Sequence, residues 1–346
     1  FGGPSLAAEE ATLLAILEES DRPRSLTRRG GFIYDFRQTA AHPRGRWLRL
    51  PETQSIVPGA AWETVFDLDA FCAETGRNWS WHWAQTSPFN AAQVLIQLSE
   101  EGSDLVRSLE FDLDSCRFVP GGFDLGPDRG VAHWLGPDTL LRSSAAPGDA
   151  TRSGWPGVLR RLERGMKRDE TPLLFRTDHE HLEVLGWVSR LGGTEWTEVH
   201  WQETNIGKVR VRLLQGDGRN IVLPNPEDTE PAFNHAFCAW VANVEGEHPS
   251  GTLVICRHDG SAPRILFTPS ADAAVRPLDV FFAGDWLVWT EVHRLEPRIM
   301  VLDTRREDAM PQEIIPPVRA ETIWVFPFDA QPELGVLGDV PLGPAA

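Results

Sequence analysis

The chain has 346 residues and carries 50 acidic against 33 basic side chains, a formal charge of −17. That balance repels phosphate backbones and anionic lipid, which argues against nucleic acid and membrane surfaces as partners. Hydrophobic content of 41% suffices for a sizeable core, and no run approaches the ~18 uncharged apolar residues of a membrane span. The N-terminus shows no basic segment followed by an apolar run, so no signal peptide is expected and the composition is read as cytoplasmic. Cys72, Cys116, Cys238 and Cys256 form no C-x-x-C pair and are expected as free, small hydrophobes.

Residues 5–20 read as the one helix: Ser5 can cap it, Glu9 and Glu10 suit its first turns, and Leu13, Leu14 and Leu17 share a face. From there the helical period gives way to short strand-like runs separated by Gly, Pro, Asp and Asn. These are 31–36, 92–98, 139–142, 182–187, 208–214, 237–242, 252–256, 286–289 and 298–302. In Leu109-Glu-Phe-Asp-Leu-Asp114 the alternation points Leu109, Phe111 and Leu113 inward and Glu110, Asp112 and Asp114 to solvent. The tetrapeptide Phe-Asp-Leu-Asp occurs at 66–69 and 111–114, 45 residues apart. That spacing is the length of a four-stranded propeller blade, and both copies are expected to close the same strand of successive blades. The blades then fall at about 29–72, 77–120, 121–166, 170–225, 230–272 and 276–318, with a seventh opening at Thr322 and cut short. The fold class is therefore all-β: a seven-bladed β-propeller over 29–346 with an incomplete last blade, preceded by a helix and linker over 1–28. Fourteen Trp against one Tyr suit a fold that wedges large rings between sheets.

The chemistry-bearing residues give no catalytic constellation. Gly102-Ser103-Asp104 and Gly260-Ser261-Ala262 lack the second glycine of a nucleophile elbow. No His-Glu-x-x-His, phosphate-cradling loop or dinucleotide fingerprint is present. Asp178-His-Glu-His181 places two histidines on one face if it is a strand, but no third ligand follows from spacing. His42, His200, His235 and His293 stand isolated in the sequence. No catalytic, cofactor-binding or metal residue is assigned, and no cofactor is expected.

One stretch carries a specific resemblance. Arg29-Gly-Gly-Phe-Ile-Tyr-Asp-Phe-Arg-Gln38, His42-Pro-Arg-Gly-Arg-Trp47 and Trp62-Glu-Thr-Val-Phe-Asp-Leu-Asp69 begin it. Leu98-Ser-Glu-Glu-Gly-Ser-Asp104, Gly122-Phe-Asp-Leu125, Asp138-Thr-Leu-Leu141 and Ser153-Gly-Trp-Pro156 continue it. In order and spacing these residues resemble the N-terminal β-propeller of the prolyl oligopeptidase family. The resemblance implies a propeller that caps a separate α/β-hydrolase domain with a Ser–Asp–His triad, and short peptides as substrates. That catalytic domain is the implied partner, and by itself the chain should be inert. The other class of function open at this point is a free-standing propeller that binds a peptide, sugar or protein. An unpaired edge near 322–326 would favour association through that edge.

Overall fold

The computed structural model describes residues 4–17, 26–54, 59–167, 170–191, 193–203, 209–243, 246–314, 322–328 and 333–339. Each expected strand run lies on an observed strand, and the strands collect into antiparallel sheets in chain order. The first sheet holds Thr27–Arg29, Phe32–Thr39, His42–Pro51 and Glu63–Asp67. Arg29 pairs with Phe32, so only Gly30 and Gly31 make the turn, both at positive φ (56° and 79°). Such a two-residue turn matches the twist of its strands and needs residues that tolerate positive φ.

The second sheet runs Trp79–Thr86, Gln93–Glu100, Val106–Asp112 and Arg117–Phe118. Asp124–Asp128 pairs further along the same third strand, so the fourth position is split between two short pieces. Ala132–Gly136, Thr139–Ser144, Val158–Glu163 and Leu173–Arg176 form the third sheet; Glu183–Leu191, Thr194–Gln202, Val209–Leu214 and Asn220–Val222 form the fourth. The fifth comprises Ala232–Phe233, Phe237–Val241, Leu253–Arg257 and Arg264–Phe267. The sixth comprises Ala273–Val275, Trp286–His293, Glu296–Asp303 and Gln312–Ile314, with Phe281–Ala283 added on Trp286–His293. Thr322–Phe328 pairs with Glu333–Asp339, so the edge expected at 322–326 is one side of a hairpin. The expected boundaries shift where Asp124–Asp128 joins the second sheet: the third begins at Ala132 rather than 121 and extends to Arg176.

By contacts the chain divides into two compact units, Phe1–Asp128 and Arg129–Ala346. The helix expected at 5–20 is described over Pro4–Leu17, but its Leu6, Leu13 and Leu14 are exposed, so these three are not core. In the first unit, Tyr34, Trp47 and Phe66 of the first sheet pack against Trp79, Leu98 and Phe111 of the second. In the second unit, Leu141 and Leu159 meet Val184 and Val199 between sheets three and four, and Leu253 meets Leu287 and Trp289 between five and six. Gly130 is there for close approach: a Cβ would lie 1.7 Å from the Ser143 carbonyl oxygen.

The repeated tetrapeptide does not occupy equivalent strands. Phe66-Asp67 ends the fourth strand of the first sheet, whereas Phe111-Asp112 ends the third strand of the second. What the copies share is local. Asp67 accepts the Ala70 amide (2.9 Å) and Asp112 the Ser115 amide (2.7 Å), each capping the turn that stops its strand. After Asp67 the turn grows into a helix, Leu68–Thr75, closed by Gly76 at φ 66°. After Asp112 it stops at Cys116, itself at φ 52°. The two phenylalanines meet edge to face at 5.8 Å, and each also meets Phe118. Truncating Phe66 therefore opens the seam between two sheets. Phe66→Ala is expected to lower the unfolding free energy by ~3–5 kcal/mol in a denaturant titration, and a loss below ~1 kcal/mol would contradict this packing.

Candidate functional site

The carboxylates singled out in the sequence divide on folding. Asp114 is exposed, and the Ser115 hydroxyl and amide hold the Asp112 carboxyl below its ordinary range. Glu110 is not on a solvated face: it is 2% exposed. The chain between the split halves of the fourth strand folds over it, the Phe123 amide donates to its Oε2 (2.8 Å) and Gln93 to its Oε1 (3.3 Å). Glu110, Asp112 and Asp114 thus share no site.

Asp178-His-Glu-His181 lies in a turn rather than a strand, with His179 and Glu180 exposed and His181 Nδ1 2.7 Å from Thr177 Oγ1. His42, Asp67 and Asp69 do converge closely enough to hold an ion. Their oxygens have other work: Asp67 Oδ1 caps the helix, and Asp69 accepts the amides of Arg44 and Gly45 (both 3.1 Å). The four histidines taken as isolated each face a carboxylate. His42 lies 3.8 Å from Asp67 and His235 3.5 Å from Asp285. His200 lies 2.9 Å from Glu198, and His293 2.7 Å from Glu291.

The last two pairs belong to a repeat that the sequence reading missed. Trp-Thr-Glu-Val-His stands at 196–200 and again at 289–293, 93 residues apart. Both copies lie on the second strand of a sheet, the fourth and the sixth, so their offset of about two blade lengths is a structural equivalence. Residues i, i+2 and i+4 of a strand share a face, which stacks Trp, Glu and His in a row. In the later copy Trp289 donates its indole N–H to Glu291 (2.9 Å) while Glu291 also meets His293. In the earlier copy the indole nitrogen of Trp196 has no hydrogen-bond partner among the described residues, and Glu198 meets His200. Removing Glu291 orphans a fully buried donor; removing Glu198 does not. Glu291→Ala should destabilise by ~2–3 kcal/mol and Glu198→Ala by ~1 kcal/mol or less, read from urea midpoints; equal losses would contradict the network.

The His200 face continues into the third sheet. His200 stacks edge-on against Trp187 (4.5 Å), and Trp187 meets His133 (5.8 Å). Burial pushes the His133 imidazole down to about 4, the nearby His200 adding to the effect and Glu198 opposing it. In the unfolded chain the ring titrates near ~6.5, so the unfolded state takes up its proton first. Its neutral form thus contributes full stability above pH ~6.5, and that contribution is lost as pH falls toward ~4. His133→Asn is expected to lose roughly 1–3 kcal/mol less than the parent between pH ~7.5 and ~4 in paired denaturant titrations. An unchanged pH dependence would rule out a neutral buried His133.

The first unit also holds an aromatic cleft. Phe36 and Trp81 stack in parallel (4.5 Å, 10°), Trp47 leans on Trp81 (5.5 Å) and Trp83 stands at the mouth, 56% exposed. Gln38, Arg44, Ser80 and His82 complete a cavity of about 550 Å³. Gly45 lets the Phe36 ring lie over the backbone: a Cβ there would sit 2.5 Å from the ring. Two cavities of the second unit differ in kind. The one between the fifth and sixth sheets, about 340 Å³, is ringed by Arg257, Arg264 and Arg306. Those cations are already held, by Glu307 (3.2 Å), by the carbonyls of Glu307 and Ala309, and by Asp308 (3.5 Å). The other lies between the third and fourth sheets, about 630 Å³, and is lined largely by turns around Gly136 and Gly216.

Stacked antiparallel sheets of four strands, repeated along the chain, define a β-propeller class of protein. Comparison with solved structures gives that class a specific form. A post-proline cleaving enzyme from Rickettsia typhi matches 93% of this chain with a TM-score of 0.79 at 18% identity, over 50% of its own length. Oligopeptidase B from Leishmania major matches 94% of the chain with a TM-score of 0.64 at 12% identity, over 47% of its length. The chain thus has the fold of the propeller portion of prolyl oligopeptidases, and the rest of those enzymes has no counterpart in these 346 residues. Among curated sequences, an uncharacterized peptidase of Sinorhizobium fredii is 30% identical over 229 residues, 64% of this chain and 32% of the relative. An uncharacterized peptidase of Rickettsia prowazekii is 25% identical over 165 residues, 45% of this chain and 23% of the relative. The chain therefore spans a third or less of the curated relatives it matches. No family model matches it.

Proposed function

We propose that this chain is the propeller portion of a prolyl oligopeptidase-like serine peptidase, and that it controls which peptides reach an α/β-hydrolase domain lying outside these 346 residues. The observation that carries this reading is the Rickettsia typhi enzyme, which matches nearly the whole chain while the chain covers only half of it. The residues agree in kind. The buried Glu110, Glu198 and Glu291 are engaged by amides, an indole and imidazoles, and the sequence shows no nucleophile elbow. The hairpin Thr322–Asp339 opens the seventh blade on this reading. The substrate class is short peptides, and the negative charge of the chain disfavours nucleic acid and anionic membranes. Four free cysteines, with Cys238 and Cys256 facing across a ladder unlinked, fit a reducing, cytoplasmic compartment.

Purified alone, the chain should not release chromophore from a succinyl-Gly-Pro-nitroanilide. Turnover that a serine-directed phosphonate abolishes would place the catalytic groups within these residues and overturn the proposal.

A further inference from the structure

The aromatic cleft between the first two sheets has three independent features that set its character. The first is charge. Although acidic side chains outnumber basic ones 50 to 33, no carboxylate among the described residues lines this cavity, while Arg44 and His82 do. Asp69, beside Arg44 in space, is spent on the backbone amides of Arg44 and Gly45. The Arg44 guanidinium, half-buried, has no partner among the described residues, unlike the three arginines around the cavity of the fifth and sixth sheets. A cation left over in so acidic a chain is complementary to an anionic group.

The second feature is a bulge. Along Trp79–Thr86 the register slips between Trp81 and Trp83, so that His82 is the extra residue. A bulge breaks the alternation of its strand and re-aims the side chains that follow it. Here Trp81 stays stacked on Phe36 while Trp83 turns to the rim. Exposing a tryptophan is costly unless something covers it.

The third is an edge. Among the described residues Trp79–Thr86 is the end strand of its sheet, pairing with Gln93–Glu100, and Thr27–Arg29 is the end strand of the first sheet, where Thr27 also lines the cavity. A strand edge offers main-chain donors and acceptors at peptide spacing, which an extended chain can use and a sugar ring cannot. About 550 Å³ is room for a few residues.

We propose that this cleft binds an extended peptide that lays an apolar side chain or ring on Trp81 and Trp83 and places a carboxylate, from an acidic side chain or a free C-terminus, on Arg44. The site is complete within the first unit and does not rest on the access-control reading; inactivity or activity of the chain leaves it untouched.

The test is fluorescence polarisation of the full chain with fluorescein-labelled Gly-Phe-Ala-Glu carrying a free C-terminus, against Gly-Phe-Ala-Gln carrying a C-terminal amide. The acidic peptide should bind at least about tenfold more tightly, with the difference shrinking as salt rises. Trp83→Ala, at an exposed position, should weaken both peptides about tenfold. Arg44→Gln should weaken only the acidic one and bring the two together. Far-ultraviolet circular dichroism of both variants should match the parent, so that a loss of binding reads as a loss of contact. Equal affinity for the two peptides, or unchanged binding in both variants, overturns the proposal. So does cellopentaose displacing the acidic peptide where excess unlabelled peptide fails.

Discussion

A sheet that is apolar on both faces cannot rest against water on either, and this constraint organises the whole chain. Gln93–Glu100 shows it most clearly. Val94, Ile96 and Leu98 face the aromatic core shared with the first sheet, while Leu95, Gln97 and Ser99, on the opposite face, are buried as well. Burying a side chain of that size is worth ~1.5–3 kcal/mol, so an isolated sheet would forfeit several such contributions. Stacking sheet on sheet recovers them, and a chain of such sheets has no reason to build a helical layer. The large rings follow from the same demand. Trp79, Trp134 and Trp289 are almost wholly buried, each belonging to a different sheet.

Polar groups carried into these seams must find partners there, and this decides what the chain can do. Glu110 is fixed by an amide and a glutamine, Glu291 by an indole and an imidazole, and Asp149 by the guanidinium of Arg160 at 2.8 Å. A carboxylate so engaged is a strut, because leaving that arrangement would cost it its partners. In the cleft, by contrast, the Arg44 guanidinium has no partner among the described residues and lies beside Phe36, Trp81 and Trp83.

Strand positions were legible before the structure because each run is short, apolar and bounded by turn residues whose backbone needs are local, as Gly30 and Gly31 show. Sheet boundaries were less so. Asp124–Asp128 reads as the start of a new unit, and only its hydrogen bonds to Val106–Asp112 assign it to the second sheet. Two copies of Phe-Asp-Leu-Asp suggested equivalent strands, yet the tetrapeptide encodes a capped stop, which any strand of a sheet can use. Trp-Thr-Glu-Val-His was present in plain letters and does mark equivalent strands, because it encodes a row of contacts between sheets.

The sequence by itself determined the class of element, the turns, the length of the repeating unit and the resemblance to prolyl oligopeptidase propellers, since these depend on periodicity and on neighbours within a few residues. The tertiary structure alone decided which side of a strand is wet. Alternation sent Glu110 outward, but a loop from beyond the strand covered it; spacing left His42 and His235 without partners, but folding set each against a carboxylate from a distant segment. The cleft is the same case. Phe36, Arg44 and Trp83 lie on three strands of two sheets, and their common purpose exists only where strand pairing, a one-residue bulge and the packing of one sheet on another bring them together.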